Sequence, residues 1–156
     1  MPHIELTTII NAPIERCFDL ARSIDLHKLS TADTDEEAIA GVTTGLMGNG
    51  QRVTWRAKHF GIRQTLTSEI TEFKYPYHFR DVMVRGVFKL INHDHIFQQV
   101  NSHTVMTDKF HFESPGGILG RIFNKLVLTN YLKNILIARN RIIKEVAEGT
   151  RWKEIL

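Results

Sequence analysis

Between Leu119 and Val146 apolar residues return every three or four positions, and no other stretch of the chain could pair with such a helix. Leu119, Phe123, Leu126, Tyr131, Leu132, Ile135, Leu136, Ile143 and Val146 form one stripe, the spacing of an amphipathic helix. Gly149 supplies its stop. No second helical pattern approaches it in length, so the stripe has to be buried against a sheet.

The rest of the sequence supplies that sheet. His3–Ile10 alternates and is rich in Ile and Thr, as a strand does. Asn11-Ala12-Pro13 opens a helix, with Asn11 as its cap and Pro13 near the first turn. Phe18, Leu20 and Ala21 carry that helix to Arg22-Ser23, and a second short one covers Ile24–Leu29. Residues 35–40 read as a short edge strand. The glycine-dense Gly41–Gly50 lacks the Gly-Lys-Ser/Thr ending of a phosphate-cradling loop and is read as a flexible connection. From residue 51 the period is two, over Gln51–His59, Ile62–Phe73, Tyr77–Val84, Val87–Val100 and His103–Phe112. Glu113–Gly117 closes the series. This order predicts an α+β helix-grip fold: a curved antiparallel sheet of six or seven strands around the C-terminal helix, with two short helices after the first strand. Residues 1–150 are assigned to a single domain and 151–156 to a C-terminal tail.

Two short links set the register. With Phe60-Gly61 as a two-residue turn, His59 faces Ile62, Ala57 faces Gln64 and Trp55 faces Leu66. Val53, Trp55, Ala57, His59, Ile62, Leu66 and Ile70 then share one face, and Arg52, Thr54, Arg56, Lys58, Arg63, Thr65, Thr67 and Glu69 the other. The apolar set is the inner one. With Asn101-Ser102 as the second turn, Phe97 faces Met106, His95 faces Asp108 and His93 faces Phe110, with Phe112 on the same side. Phe79, Asp81 and Met83 alternate likewise. Imidazoles and carboxylates on an otherwise greasy face are costly unless paired, which makes His59, Asp81, His93, His95 and Asp108 the most informative residues.

Composition limits the function classes. Twenty basic residues against 17 acidic give a net charge of +3, too evenly spread for a nucleic-acid surface. Only the last helix is clearly basic, which leaves room for attraction to an anionic membrane surface. The single Cys17 precludes an intramolecular disulfide, and no apolar run approaches the ~18 residues needed to span a bilayer. A soluble cytoplasmic protein is expected, without integral membrane insertion.

The opening residues 8–18, Thr-Ile-Ile-Asn-Ala-Pro-Ile-Glu-Arg-Cys-Phe, resemble the strand-to-helix entry of the START-like (SRPBCC) superfamily, the polyketide cyclase/dehydrase and lipid transport group. Trp55-Arg-Ala-Lys-His59-Phe-Gly61 and Ser114-Pro-Gly-Gly-Ile-Leu-Gly120 are similar to a bacterial subgroup labelled cell-division-inhibitor-like, a label that carries no function here. The resemblance covers nearly the whole chain. It implies a hydrophobic small molecule or lipid held between sheet and helix, and no fixed catalytic set.

The residues themselves admit several chemistries. His93, His95, Asp108 and His59 offer zinc-type donors, but no Cys or Glu cluster completes a shell, so no metal and no cofactor is expected. His95 is expected to hydrogen-bond Asp108 across the strands, with His93 on a backbone group or water. The preferred reading is a binding protein whose ligand meets Trp55, His59, Leu66, Phe79, Asp81, His93, His95, Phe97, Met106, Asp108, Phe110, Tyr131 and Ile135. In it His95, Asp108, His59 and Asp81 orient a hydroxyl, carbonyl or carboxylate, and Gly41–Gly50 and Pro115–Gly117 move at the entrance. The alternatives are a cyclase or dehydratase using His95 with Asp108 as acid and base, and a protein-interaction module acting through the basic helix or the tail.

Overall fold

The structure is a computed structural model that describes residues 2–156, with side chains at all of them except 124 and 125. Seven strands, β1 (His3–Ile10), β2 (Glu37–Gly41), β3 (Arg52–His59), β4 (Ile62–Lys74), β5 (His78–Arg85), β6 (Leu90–Val100) and β7 (His103–Glu113), form one antiparallel sheet in the order β1-β7-β6-β5-β4-β3-β2. Helices α1 (Ile14–Ala21) and α2 (Ile24–Ser30) follow β1. After the sheet come α3 (Gly117–Phe123), a π-helical segment (Asn124–Leu128), the long α4 (Thr129–Glu148) and the short α5 (Trp152–Ile155). This is the α+β helix-grip architecture. No helix among the described residues is long and apolar enough to cross a membrane.

Hairpin chemistry sets the register as expected. Phe60 and Gly61 both have positive φ, 52° and 75°, the combination a two-residue hairpin turn requires. His59 pairs with Ile62, Trp55 with Leu66, His95 with Asp108 and Phe97 with Met106. The burial of β6 and β7 alternates residue by residue, so one face is inside. Register shifts at Ala38/Ala40, Thr67/Ser68 and Ile70/Glu72 interrupt the ladders. Such bulges bend and twist a strand, and here they fall in the β2–β5 half of the sheet.

Four local expectations are corrected. Asn11 does not cap α1: the N-cap is Pro13, and the Ile14 N–H donates to Gln99 Oε1 of β6 at 2.9 Å. A distant side chain thus fills the role that the local sequence offered to Asn11, whose own N–H donates to Glu148. Ile62, assigned to the inner face, is 62% exposed because the hairpin tip overhangs the sheet. Strand β6 begins at Leu90 rather than Val87, since residues 86–89 bend. Finally, the C-terminal stripe is not buried along its length. Leu119 and Leu126 are 78% and 68% exposed, and the helix is interrupted at 124–128. Only α4 grips the molecule, packing on β1, α1 and α2.

Phe18 anchors the core. It is fully buried, and Phe73, Tyr75 and Phe79 meet it edge-on with centroids 5.4, 5.0 and 5.2 Å away. The free Cys17 is buried beside it. Residues 151–156, set apart in the sequence as a tail, close on this core: Trp152 and Ile155 pack against it, and the Arg16 guanidinium lies 3.9 Å from the Trp152 ring centroid. A second cluster of Ile4, Ile91, Phe110, Phe112, Leu128 and Leu136 lies toward the other end. Between the two, polar side chains join the sheet to α4 and a gap remains beside them.

The Phe18→Ala substitution is expected to cost ~3–5 kcal/mol by the cavity it leaves. Equilibrium denaturant unfolding measures this, and a loss below ~1 kcal/mol would show that the ring is not the anchor.

Candidate functional site

The gap between the clusters is a cavity of about 230 Å³ with largely apolar walls. Strands β3–β6 contribute Trp55, Leu66, Phe79 and Ile91, and α4 contributes Leu132, Ile135 and Leu136. A second cavity of about 420 Å³ continues outward under Phe60, Phe88, Leu119 and Tyr131. The two share His59, Phe88 and Leu132 in their walls, so they adjoin. Pockets for small molecules occupy roughly 300–1,000 Å³, a range the two together meet.

Of the residues expected to touch a ligand, Trp55, His59, Leu66, Phe79, Asp81, His93, His95, Phe110 and Ile135 line the inner cavity, and Tyr131 lines the outer one with His59. Phe97, Met106 and Asp108 line neither. Phe97 and Met106 are packed in the core, and Asp108 is wholly buried behind the histidines. The polar set also contains residues that the sequence reading passed over: Arg139 and Asn140 on α4, and His27 and Glu36 beside Trp55.

Asp108 is the centre of the inner polar group. His93 Nε2 donates to its Oδ1 at 2.8 Å, and Asn140 Nδ2 donates to Oδ2 at 2.7 Å. Arg139 Nη1 approaches Oδ1 at 3.4 Å and donates to Asn140 Oδ1 at 3.0 Å, while Nη2 donates to the Ala21 carbonyl at 3.2 Å. His95 reaches both carboxylates: Nε2 lies 2.7 Å from Asp81 Oδ2 and Nδ1 3.3 Å from Asp108 Oδ1. The ring is stacked on Phe79 at 4.1 Å. The expected His95–Asp108 pairing is present as the longer contact, and the placement of His93 is corrected. His93, expected on a backbone group or water, takes Asp108 at close range, and His95's short bond goes to Asp81.

Protonation follows from these partners. Burial pushes the His95 imidazole toward neutrality, but hydrogen bonds to Asp108 and Asp81 outweigh it and raise its pKa, although Arg139 stands 3.4 Å from Nδ1 and opposes the charge. Burial and the neighbouring His95 instead lower His93, which stays neutral and donates through Nε2. Burial alone would raise both carboxyls. Bonds from His93 and His95 reverse that at Asp108, holding it well below the usual range, and the bond from His95 does so at Asp81. With His95 protonated, the two carboxylates face one guanidinium and one imidazolium, each charge paired and hydrogen-bonded.

Asp81, with a side chain 28% exposed, is the most accessible member of the group; His93, His95 and Arg139 also line the cavity but are almost fully buried. Nearer the mouth, His59 Nδ1 lies 2.6 Å from the Tyr131 hydroxyl. Burial lowers His59 and raises Tyr131, so the hydroxyl donates to a neutral imidazole. His27 Nε2 bonds Glu36 at 2.9 Å, its ring against Trp55. Donor atoms of Asp81, His93 and His95 lie within 4.8 Å of one another, close enough to share a metal ion. The same atoms already hold Asp108 and each other, and a cation there would face Arg139.

The entrance differs from the expectation in one part. Gly41–Gly50 is tied down: the Ile24 N–H donates to the Gly45 carbonyl, the Met47 N–H to the Arg22 carbonyl, and Asp25 accepts from Thr44 and Gly45. The outer cavity is bounded instead by the β3–β4 tip, the 86–89 bend and the Pro115–Gly116 turn into α3.

No protein-family model matches the chain, and no curated protein does. Solved structures match it over almost their full length. The protein TTHA0849 from Thermus thermophilus superposes with a TM-score of 0.72 at 20% identity, covering 94% of this chain and 99% of that one. A START superfamily protein from Mycobacterium smegmatis gives 0.70 at 10% identity, covering 92% and 98%. The Zhui aromatase/cyclase from Streptomyces sp. R1128 gives 0.69 at 15% identity, covering 94% and 93%. At these identities the comparison establishes the fold.

Imidazole ¹⁵N NMR over a pH series tests the protonation pattern. His95 is expected to keep both protons above the ordinary histidine value of about 6.5, and His93 and His59 to lose theirs below it. The reverse order would contradict the assignment. The signs for stability follow. His95, raised on folding, stabilises below about pH 6.5 and loses that contribution as pH climbs through its raised value. Asp81 and Asp108, lowered on folding, stabilise above about pH 4 and lose it as pH falls through their depressed values.

Proposed function

We propose that this protein binds a largely apolar small molecule or lipid in the adjoining cavities, for transport or sensing in the cytoplasm. The observation that carries this reading is the space itself: an apolar chamber between sheet and α4, adjoining an outer one and furnished with few polar groups. That is the composition of a site in which burial supplies affinity and a few polar atoms fix orientation. Each Å² of apolar ligand surface removed from water contributes about 25 cal/mol before ordering costs. Asp81 and the His59–Tyr131 pair are the orienting groups. A carboxylate that only accepts hydrogen bonds selects a ligand hydroxyl or amine and repels a ligand carboxylate.

The likeness to structures that include a START superfamily protein and an aromatase/cyclase supports membership of the START-like group. The finer placement in the cell-division-inhibitor-like subgroup rests on residues 55–61 and 114–120 alone. A second reading, cyclase or dehydratase, draws on the aromatase/cyclase neighbour and a His–Asp contact beside the cavity. In that case His93, neutral and bonded to Asp108, is the base, because His95 holds its proton between two carboxylates.

Native mass spectrometry of freshly purified protein, with identification of any released molecule, tests binding first. A co-purifying apolar compound is expected, together with thermal stabilisation on adding it back. Ile135→Trp, which fills the inner cavity from α4, is expected to abolish that stabilisation while the far-UV circular dichroism stays unchanged. Asp81→Asn is expected to weaken hydroxylated or aminated ligands about tenfold and leave wholly apolar ones unaffected. Retained stabilisation in the Ile135→Trp protein would place the ligand elsewhere.

A further inference from the structure

The apolar residues of α3 and the segment after it do not serve the core. Ile118 is 73% exposed, Leu119 78% and Leu126 68%, with Ile122 exposed between them. Ile118 and Ile122 stand one turn apart on α3, with Leu119 next to Ile118 and Leu126 in the segment that follows. The β3–β4 tip adds Phe60 and Ile62, both exposed. Tip and helix form one surface, since the Phe60 ring lies 5.9 Å from Phe123 and 4.5 Å from Tyr131. Scattered apolar side chains are ordinary on a protein surface, whereas a contiguous group of this kind marks a docking face. Phe60, Leu119 and Phe123 also line the outer cavity.

Positive charge dominates around this face. From Ser114 to Lys144 the sequence contains no Asp or Glu, and from Arg52 to Ser68 none either. Arg121 and Lys133 are exposed on the helical side, and Lys58 and Arg63 sit exposed just behind the hairpin tip. Lys89, near the rim, has its charge matched by Glu113 at 3.0 Å. A second copy of this chain seated on the patch would bring like-charged rims together. An anionic bilayer meets both features at once, its headgroups facing the cations and its acyl region receiving the apolar side chains, with no demand for shape complementarity.

We propose that α3, the following segment and the β3–β4 tip form a docking face for an anionic membrane surface, with Ile118, Leu119, Ile122 and Leu126 inserted at the interface. The mouth of the outer cavity then opens on the bilayer, and an apolar ligand passes between membrane and cavity without crossing water. Docking does not depend on what the cavity holds; only this consequence rests on the binding reading.

Co-sedimentation with vesicles tests it. The full chain is expected to sediment with phosphatidylcholine vesicles containing phosphatidylglycerol, to stay in solution with phosphatidylcholine alone, and to be released by salt. The double variant Leu119→Ser/Leu126→Ser is expected to lose at least tenfold in partitioning. Arg121→Gln and Lys133→Gln are expected to lose about fivefold each. All four side chains belong to exposed positions, so unchanged thermal unfolding of the variants confirms an intact fold. Absence of binding to the anionic vesicles, or binding indifferent to the leucine changes, would overturn the proposal. So would sedimentation-velocity evidence of a dimer that the leucine changes dissolve, because the patch would then be a contact between copies.

Discussion

Everything about the interior turns on the carboxylate of Asp108. It stands on β7 with no solvent contact, and four side chains from two elements converge on it: His93 and His95 from β6, Arg139 and Asn140 from α4. A buried carboxylate with no partners would be too costly to keep charged. With these partners it becomes the point at which α4 is fixed to the sheet. Polar contacts hold only in narrow geometry, so the helix is set at one height and one rotation along the strands.

That fixation explains why a hollow survives. The end of α4 near Ile143 and Val146 is seated in the core around Phe18, Arg139 and Asn140 are held by Asp108, and the preceding turns carry Leu132 and Ile135 past the cavity while Leu136 packs with Ile91 in the second cluster. The bulges of β4 keep the sheet curved over the same region. The result is an apolar chamber whose inner end is a neutral but charge-bearing cluster, with Asp81 as its exposed member.

Much of this was legible in the sequence because strands obey a period of two. Phe60-Gly61 and Asn101-Ser102 fixed which residues face each other, and His95 does stand opposite Asp108 in the backbone. That pair makes only the longer contact, and the short hydrogen bonds run diagonally because side chains lean along the strand. His93 reaches diagonally to Asp108, and His95, whose β5 neighbour by register is Phe79, reaches diagonally to Asp81. Backbone pairing therefore named the members of the cluster but not the bonds within it.

Other features were hidden for different reasons. Arg139 and Asn140 looked like part of a solvated basic helix, though Arg139 sits three residues after Leu136 and four before Ile143, inside the apolar stripe itself. A charge in that position was the available signal. The exposure of Leu119 and Leu126 had no such signal, since a stripe records that apolar side chains share a face and not what that face meets. The account as a whole is tested most directly by intermolecular NOEs to 2-naphthol, an apolar ring pair with one hydroxyl donor. Contacts from the ring protons to Leu66, Ile91 and Leu136 are predicted, with Asp81 shifting on binding. NOEs confined to Ile118, Leu119 and Leu126, with the chamber residues unmoved, would contradict it.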